Sequence, residues 1–172
     1  MKIEIKNVKH SEFASHETSC FEASVYIDGV RAGIVENDGQ GGCNRYHPYE
    51  LEIKINDYAK TLPPVVTSMK DPHDSSKTFT YDQDADAVIG DLLTAHLYSK
   101  DLKRALAKKI LYVKDDGKLY ESKITIPVDL STPEKQRNLL DMFKTRAKAI
   151  HVLNIMPFGE ALSIYRAGGT HV

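Results

Sequence analysis

The chain opens on a period of two. Ile3, Ile5 and Val8 fall among polar neighbours between Lys2 and Lys9, predicting a first strand. His10 to Ser19 is polar and irregular. Phe21, Ala23, Val25 and Ile27 then alternate with Glu22, Ser24, Tyr26 and Asp28, the pattern of a strand with one buried face. Asp28-Gly29 tolerates the positive φ of a tight hairpin turn, and Val30 to Glu36 returns as the partner strand. From Asn37 the alternation stops. Asp38-Gly39-Gln40-Gly41-Gly42 reads as a loop leading through Cys43, Asn44, Arg45, Tyr46 and His47 to a helix that begins at Pro48. Leu51, Ile55, Tyr58, Ala59 and Leu62 share one face of that helix, and Pro63-Pro64 ends it.

Beyond residue 64 the period changes. Lys70 to Lys77 has loop composition, and Thr78-Phe79-Thr80-Tyr81 suits a short strand. Asp84 to Tyr98 is expected to be helical through Val88, Ile89, Leu92 and Leu93. Ser99 is expected to cap a second helix reaching Lys109, with Leu102 and Leu106 inward. A second hairpin follows: Ile110 to Lys114, the turn Asp115-Asp116-Gly117, and Lys118 to Ile126, closed by Pro127. Thr132-Pro133-Glu134 opens a helix whose face is Leu139, Leu140, Phe143, Ala147 and Ile150. A last helix starts near Pro157, uses Phe158, Ala161, Leu162 and Tyr165, and stops at Gly168-Gly169. The sum is one α+β domain over residues 1–172. It has a small antiparallel sheet from two β-hairpins plus the N-terminal strand, and four to five packed helices. Residues 1–64 and 100–172 form weak sub-halves of it.

Composition narrows the class. Charged residues make up 27% and hydrophobic ones 41% of 172 residues, as in ordinary globular proteins. No apolar run approaches the roughly 18 residues of a membrane span, and Met1-Lys2-Ile3-Glu4 does not begin a signal peptide, so a cytoplasmic location is expected. Two cysteines suit thiols in a reducing compartment. The net charge of −1 conceals an asymmetry: residues 1–99 carry 9 Lys/Arg against 16 Asp/Glu, and residues 100–172 carry 14 against 8. The basic residues Lys100, Lys103, Arg104, Lys108, Lys109, Lys135, Arg137, Lys144, Arg146 and Lys148 can track a nucleic-acid backbone. No reader motif accompanies them, and solvated helix faces are the favoured reading.

The candidate chemistry gathers around the glycine-rich loop. Three glycines in four positions supply no core side chains and carry a high ordering cost, so Asp38, Gly39, Gln40, Gly41, Gly42, Asn44, Arg45 and Tyr46 form the candidate binding surface. His16-x3-Cys20 precedes the first hairpin strand and Cys43-x3-His47 follows the second. The hairpin can therefore gather His16, Cys20, Cys43 and His47 at its open end as a tetrahedral zinc site. Cys43 with His47 as base is a candidate nucleophile, although no third, orienting residue is evident. Successive glycine amides near a helix start can also cradle a phosphate, but the loop lacks the P-loop lysine and the dinucleotide fingerprint. Asp82-x-Asp84-x-Asp86 opens like a calcium loop and then fails at Ala87 and Leu93. His96 and His151 lie in mainly apolar stretches and read as core or core-edge side chains.

Two phrases, Val25–Pro48 (VYIDGVRAGIVENDGQGGCNRYHP) and Val152–Arg166 (VLNIMPFGEALSIYR), resemble those of small proteins without assigned activity encoded by bacteriophages and prophages. The resemblance implies a genomic setting and transfers no residue roles. In that setting the expected function is a non-enzymatic, cytoplasmic binding protein. It would inhibit a host or defence protein or nucleoprotein complex, in the manner of anti-CRISPR and other anti-defence proteins. The alternatives are a nucleotide-binding protein or small enzyme using residues 38–47, and a structural zinc-site or virion accessory protein.

Overall fold

The alternation of the first fifty residues becomes a four-stranded antiparallel sheet in the order β1-β2-β3-β4. The computed structural model describes residues 1–72, 74, 76–125 and 129–168, with the side chains of 123–125 left aside. The predicted ends at Ile126, Pro127 and Gly169 lie outside the described residues. β1 (Ile3–Ser11), β2 (Cys20–Ile27) and β3 (Val30–Asp38) match the predicted strands. β4 (Arg45–His47) was not foreseen: it turns back and pairs with Ile34, Val35 and Glu36 of β3. The glycine-rich segment is therefore the turn of a second hairpin, not a bridge from strand to helix.

The chain divides into two compact units, Met1–Thr94 and Ala95–Val172. In the first, Phe21, Ala23, Val25, Val35 and Tyr46 are buried on one face of the sheet, as their alternation requires. Helix α1 (Glu50–Ala59) buries Leu51, Ile55 and Ala59. It lies tightly on β3: a Cβ at Gly33 would stand 2.2 Å from the His47 carbonyl oxygen and 2.9 Å from Leu51 Cδ2. β5 (Val65–Lys70) and β6 (Thr78–Tyr81) form a separate two-stranded ribbon.

Helix α2 spans Ala85–Leu106 as one element, where two helices meeting at Ser99 were expected. Ser99 is an adequate cap, but no proline or glycine near it stops the helix, and Leu102 is buried with Leu111, Val113 and Leu153. Lys109 belongs to the next strand.

In the second unit β7 (Lys109–Lys114) is central, flanked by β8 (Leu119–Thr125) and β9 (Ala149–Val152). Helix α3 (Pro133–Ala147) begins at Thr132, whose side chain accepts from the Lys135 amide. It ends at Lys148, which takes a left-handed conformation at φ 53°. That reversal places Ile150 on β9, 49% exposed, instead of on the helix face predicted for it; His151 is likewise exposed. Helix α4 (Phe158–Gly168) buries Ala161 and Tyr165 beside Leu102, Leu111, Val113 and Leu153. Among the described residues four α-helices and antiparallel sheets give the α+β class that the pattern predicts.

Candidate functional site

Asn37 organises the glycine-rich turn from inside. It is 7% exposed, the one buried polar or charged residue among those described. Its Oδ1 accepts from the Gly39 amide at 2.9 Å and from the Thr18 hydroxyl at 2.7 Å. Its Nδ2 donates to the Gly42 carbonyl and to Asn44 Oδ1, each at 3.2 Å. Thr18 Oγ1 in turn accepts from the Gly41 amide, and Asp38 Oδ1 from the Gln40 amide. The Gly39 carbonyl accepts from the amides of His16, Glu17 and Thr18 at 3.0 to 3.4 Å. The turn is thus stitched to the segment joining β1 and β2.

Glycine is required at position 39 on two counts. Its φ is +83°, and an added Cβ would lie 2.2 Å from the Ala14 carbonyl oxygen. Gly42, at φ +90°, faces open space. The amides of Gly39, Gln40 and Gly41, the ones a phosphate cradle would need, already donate to Asn37, Asp38 and Thr18. A phosphate seated there has to displace those bonds.

A second anchor comes from α2. The Tyr46 hydroxyl donates to Asp86 Oδ1 at 2.7 Å, and the Asn44 amide donates to Asp86 Oδ2 at 3.2 Å. Burial, then the hydrogen bond to Asp86, pushes the Tyr46 hydroxyl far above the usual tyrosine range. Asp84 accepts from the Ala87 amide at 2.8 Å at the start of α2, so this acidic run caps a helix and secures the turn. Of the eight candidate binding residues, Gly39 and Tyr46 are buried and Asn44 and Gly41 half-buried. Asp38, Gln40, Gly42 and Arg45 are exposed.

The four residues proposed for zinc take separate places. His16 lies in the β1–β2 connection and Cys20 pairs in register with Asp38. His47 Nε2 stands 3.6 Å from Glu36 Oε1. Cys43 is exposed, and its thiol is pushed up, first by the charge of Asp86 and then by a hydrogen bond to it. That is opposite to what a reactive thiolate requires. Among the described residues no group of three or more His, Cys, Asp or Glu is placed to hold a metal ion.

What sequence reasoning missed is the outer face of the sheet. Register places Lys9 opposite Glu22, Glu22 opposite Glu36, and Glu36 opposite Arg45, a row of four charges across four strands. The ends are tied: Lys9 Nζ to Glu22 at 2.8 Å, and Arg45 to Glu36 and to Asp38, both at 3.3 Å. Two carboxylates directly opposite each other at the centre repel, a cost that the exposed pairs with Lys9 and Arg45 offset only in part. Beside this row lies an open cleft of about 360 Å³, bordered also by His10, Cys20 and Asn37. The alternation of β2 and β3 marks Glu22 and Glu36 as outward-facing; their pairing was hidden because it depends on a bulge in β3.

Comparison with family models, with curated proteins and with solved structures finds no match to this chain. Among the described residues no helix is long and apolar enough to cross a membrane.

Proposed function

We propose that this chain is a non-enzymatic binding protein of phage or prophage origin, acting in the cytoplasm of the infected or lysogenic bacterium. It inhibits a host or defence macromolecule by occupying a basic surface on it, in the manner of anti-CRISPR and other anti-defence proteins. The carrying observation is the Glu22–Glu36 pair at the centre of the outer sheet face, with Asp38 beside it and the firmly held Gln40–Gly42 turn at its edge. Lys9 and Arg45 meet these carboxylates only from the outer sides, in exposed pairs that contribute little, so a partner's cation placed between the two still relieves their repulsion. Residues 1–99 carry a net −7 (9 Lys/Arg, 16 Asp/Glu), which adds attraction to a basic channel of the kind that holds nucleic acid. The phage-like wording of Val25–Pro48 supplies the setting.

The test is expression of the chain in bacteria carrying CRISPR or other defence systems, scored by phage plating. Plating efficiency should rise for at least one system, and the double variant Glu22→Lys, Glu36→Lys should lose the effect while keeping its circular dichroism spectrum. No rise with any system, or full activity of the double variant, overturns the reading.

A further inference from the structure

We propose that the hollow between α3 and the β7–β8 hairpin is a binding site for a small organic anion, a compact aromatic or apolar body carrying one carboxylate. The hollow measures about 300 Å³, room for on the order of ten water-sized groups at roughly 30 Å³ each. Its apolar wall consists of Tyr112 and Phe143, ring centroids 5.1 Å apart and tilted by 55°, continued by Met142 and Ala147. Tyr112 also stacks on Tyr120 at 5.7 Å, so its ring is fixed. Two rings and a thioether bordering one opening receive a flat apolar group well.

The polar groups at the opening decide the sign of the ligand. Glu121 is ion-paired with Lys109, so its charge is already answered. Ser122 Oγ accepts from the Ile110 amide at 3.3 Å. Arg146, in the last turn of α3, makes no ion pair or hydrogen bond with any described residue, yet it lines the hollow. A guanidinium is always charged and presents parallel N–H donors that match a carboxylate in a two-point grip. An apolar hollow with one unanswered cation at its mouth is complementary to an amphiphilic anion and rejects a cation. The net +6 of residues 100–172 (14 Lys/Arg, 8 Asp/Glu) favours the same sign. The proposal uses none of the residues of the sheet-face reading, so either can fail alone.

The test is an amide NMR titration of the full chain with phenylacetate, its neutral relative 2-phenylethanol and the cationic phenethylamine. Phenylacetate should give saturable shifts centred on Tyr112, Ser122, Met142 and Phe143. The alcohol should bind at least about tenfold more weakly, and the amine more weakly still. Arg146→Gln should bring phenylacetate to the level of the alcohol with the spectrum otherwise intact. Ala147→Leu, which fills the hollow and keeps the guanidinium, should abolish binding of all three. No saturable shift by about 10 mM, equal binding of the three probes, or phenylacetate affinity unchanged in either variant overturns the proposal.

Discussion

Asn37→Ala removes a single side-chain amide and with it four hydrogen bonds: those to Gly39 N, Thr18 Oγ1, Gly42 O and Asn44 Oδ1. A neutral hydrogen bond contributes about 1 kcal/mol net, which sets the loss near 4 kcal/mol if all four partners stay dry. Thr18 and Asn44 are only half-buried and Gly42 is exposed, so water recovers part of that. The buried Gly39 amide gains no such relief and bears the cost of an unmatched donor. The expected destabilisation is therefore about 2–3 kcal/mol, a large share of a typical domain's stability. Urea unfolding followed by circular dichroism should show the midpoint falling by roughly 1 M or more, taking a slope near 2 kcal/mol/M. Hydrogen exchange localises the effect: the amides of Gly39 and Gly41 should lose at least about tenfold in protection, a factor worth some 1.4 kcal/mol. A midpoint shift equivalent to less than about 1 kcal/mol, with Gly39 protection unchanged, would refute the view that this amide holds the turn together.

Three further outcomes follow from the same geometry. Gly39→Ala meets both an unfavourable φ of +83° and the Ala14 carbonyl, whereas Gly42→Ala at φ +90° meets only the first. Thermal unfolding should show about 2–5 kcal/mol lost in the former and about 1–2 in the latter, and equal losses would contradict the close approach to Ala14. Cys43, its thiol pushed up by Asp86, should be alkylated more slowly at neutral pH than a free cysteine, and Asp86→Asn should speed it; peptide mapping by mass spectrometry reads both rates. Partial burial, with repulsion from Lys100 and Lys103, lowers the His96 pKa below the ordinary 6.5. The unfolded chain then binds the proton first, so this contribution to stability is present above 6.5 and is lost as pH falls below it through the lowered pKa of the folded state. Stability measured from about pH 8 to about pH 5.5 should fall less steeply in His96→Gln than in the parent, and identical slopes would show that His96 is not perturbed.

Local chemistry made much of the architecture legible. Asp28-Gly29 between two alternating runs specifies a hairpin almost by itself, and both residues do take positive φ. Thr132-Pro133 specifies a helix start because the cap and the missing amide act within one turn. The misses have separate causes. The helix continues through Ser99 because no proline or glycine stops it, α3 ends at a left-handed Lys148 that no glycine announces, and the strand at Arg45–His47 exists only through its pairing with β3. At three residues β4 has too short a period to read.

The candidate site divides in the same way. Sequence alone marked Gly39, Gly41 and Gly42 as residues that supply no core side chain, and all three do take positive φ. It could not tell whether those glycines were kept for a ligand or for Ala14, because the atom that forbids a Cβ at Gly39 lies 25 residues earlier in the chain. Nor could it pair Glu22 with Glu36. A plain hairpin turning at Asp28-Gly29 would set Glu22 against Val35, and the shift in β3 between Arg31 and Gly33 moves every later partner by one. A one-residue slip exchanges the neighbours of a whole strand, so the charged row exists only once the bulge is made, and its position is fixed by packing on the buried face.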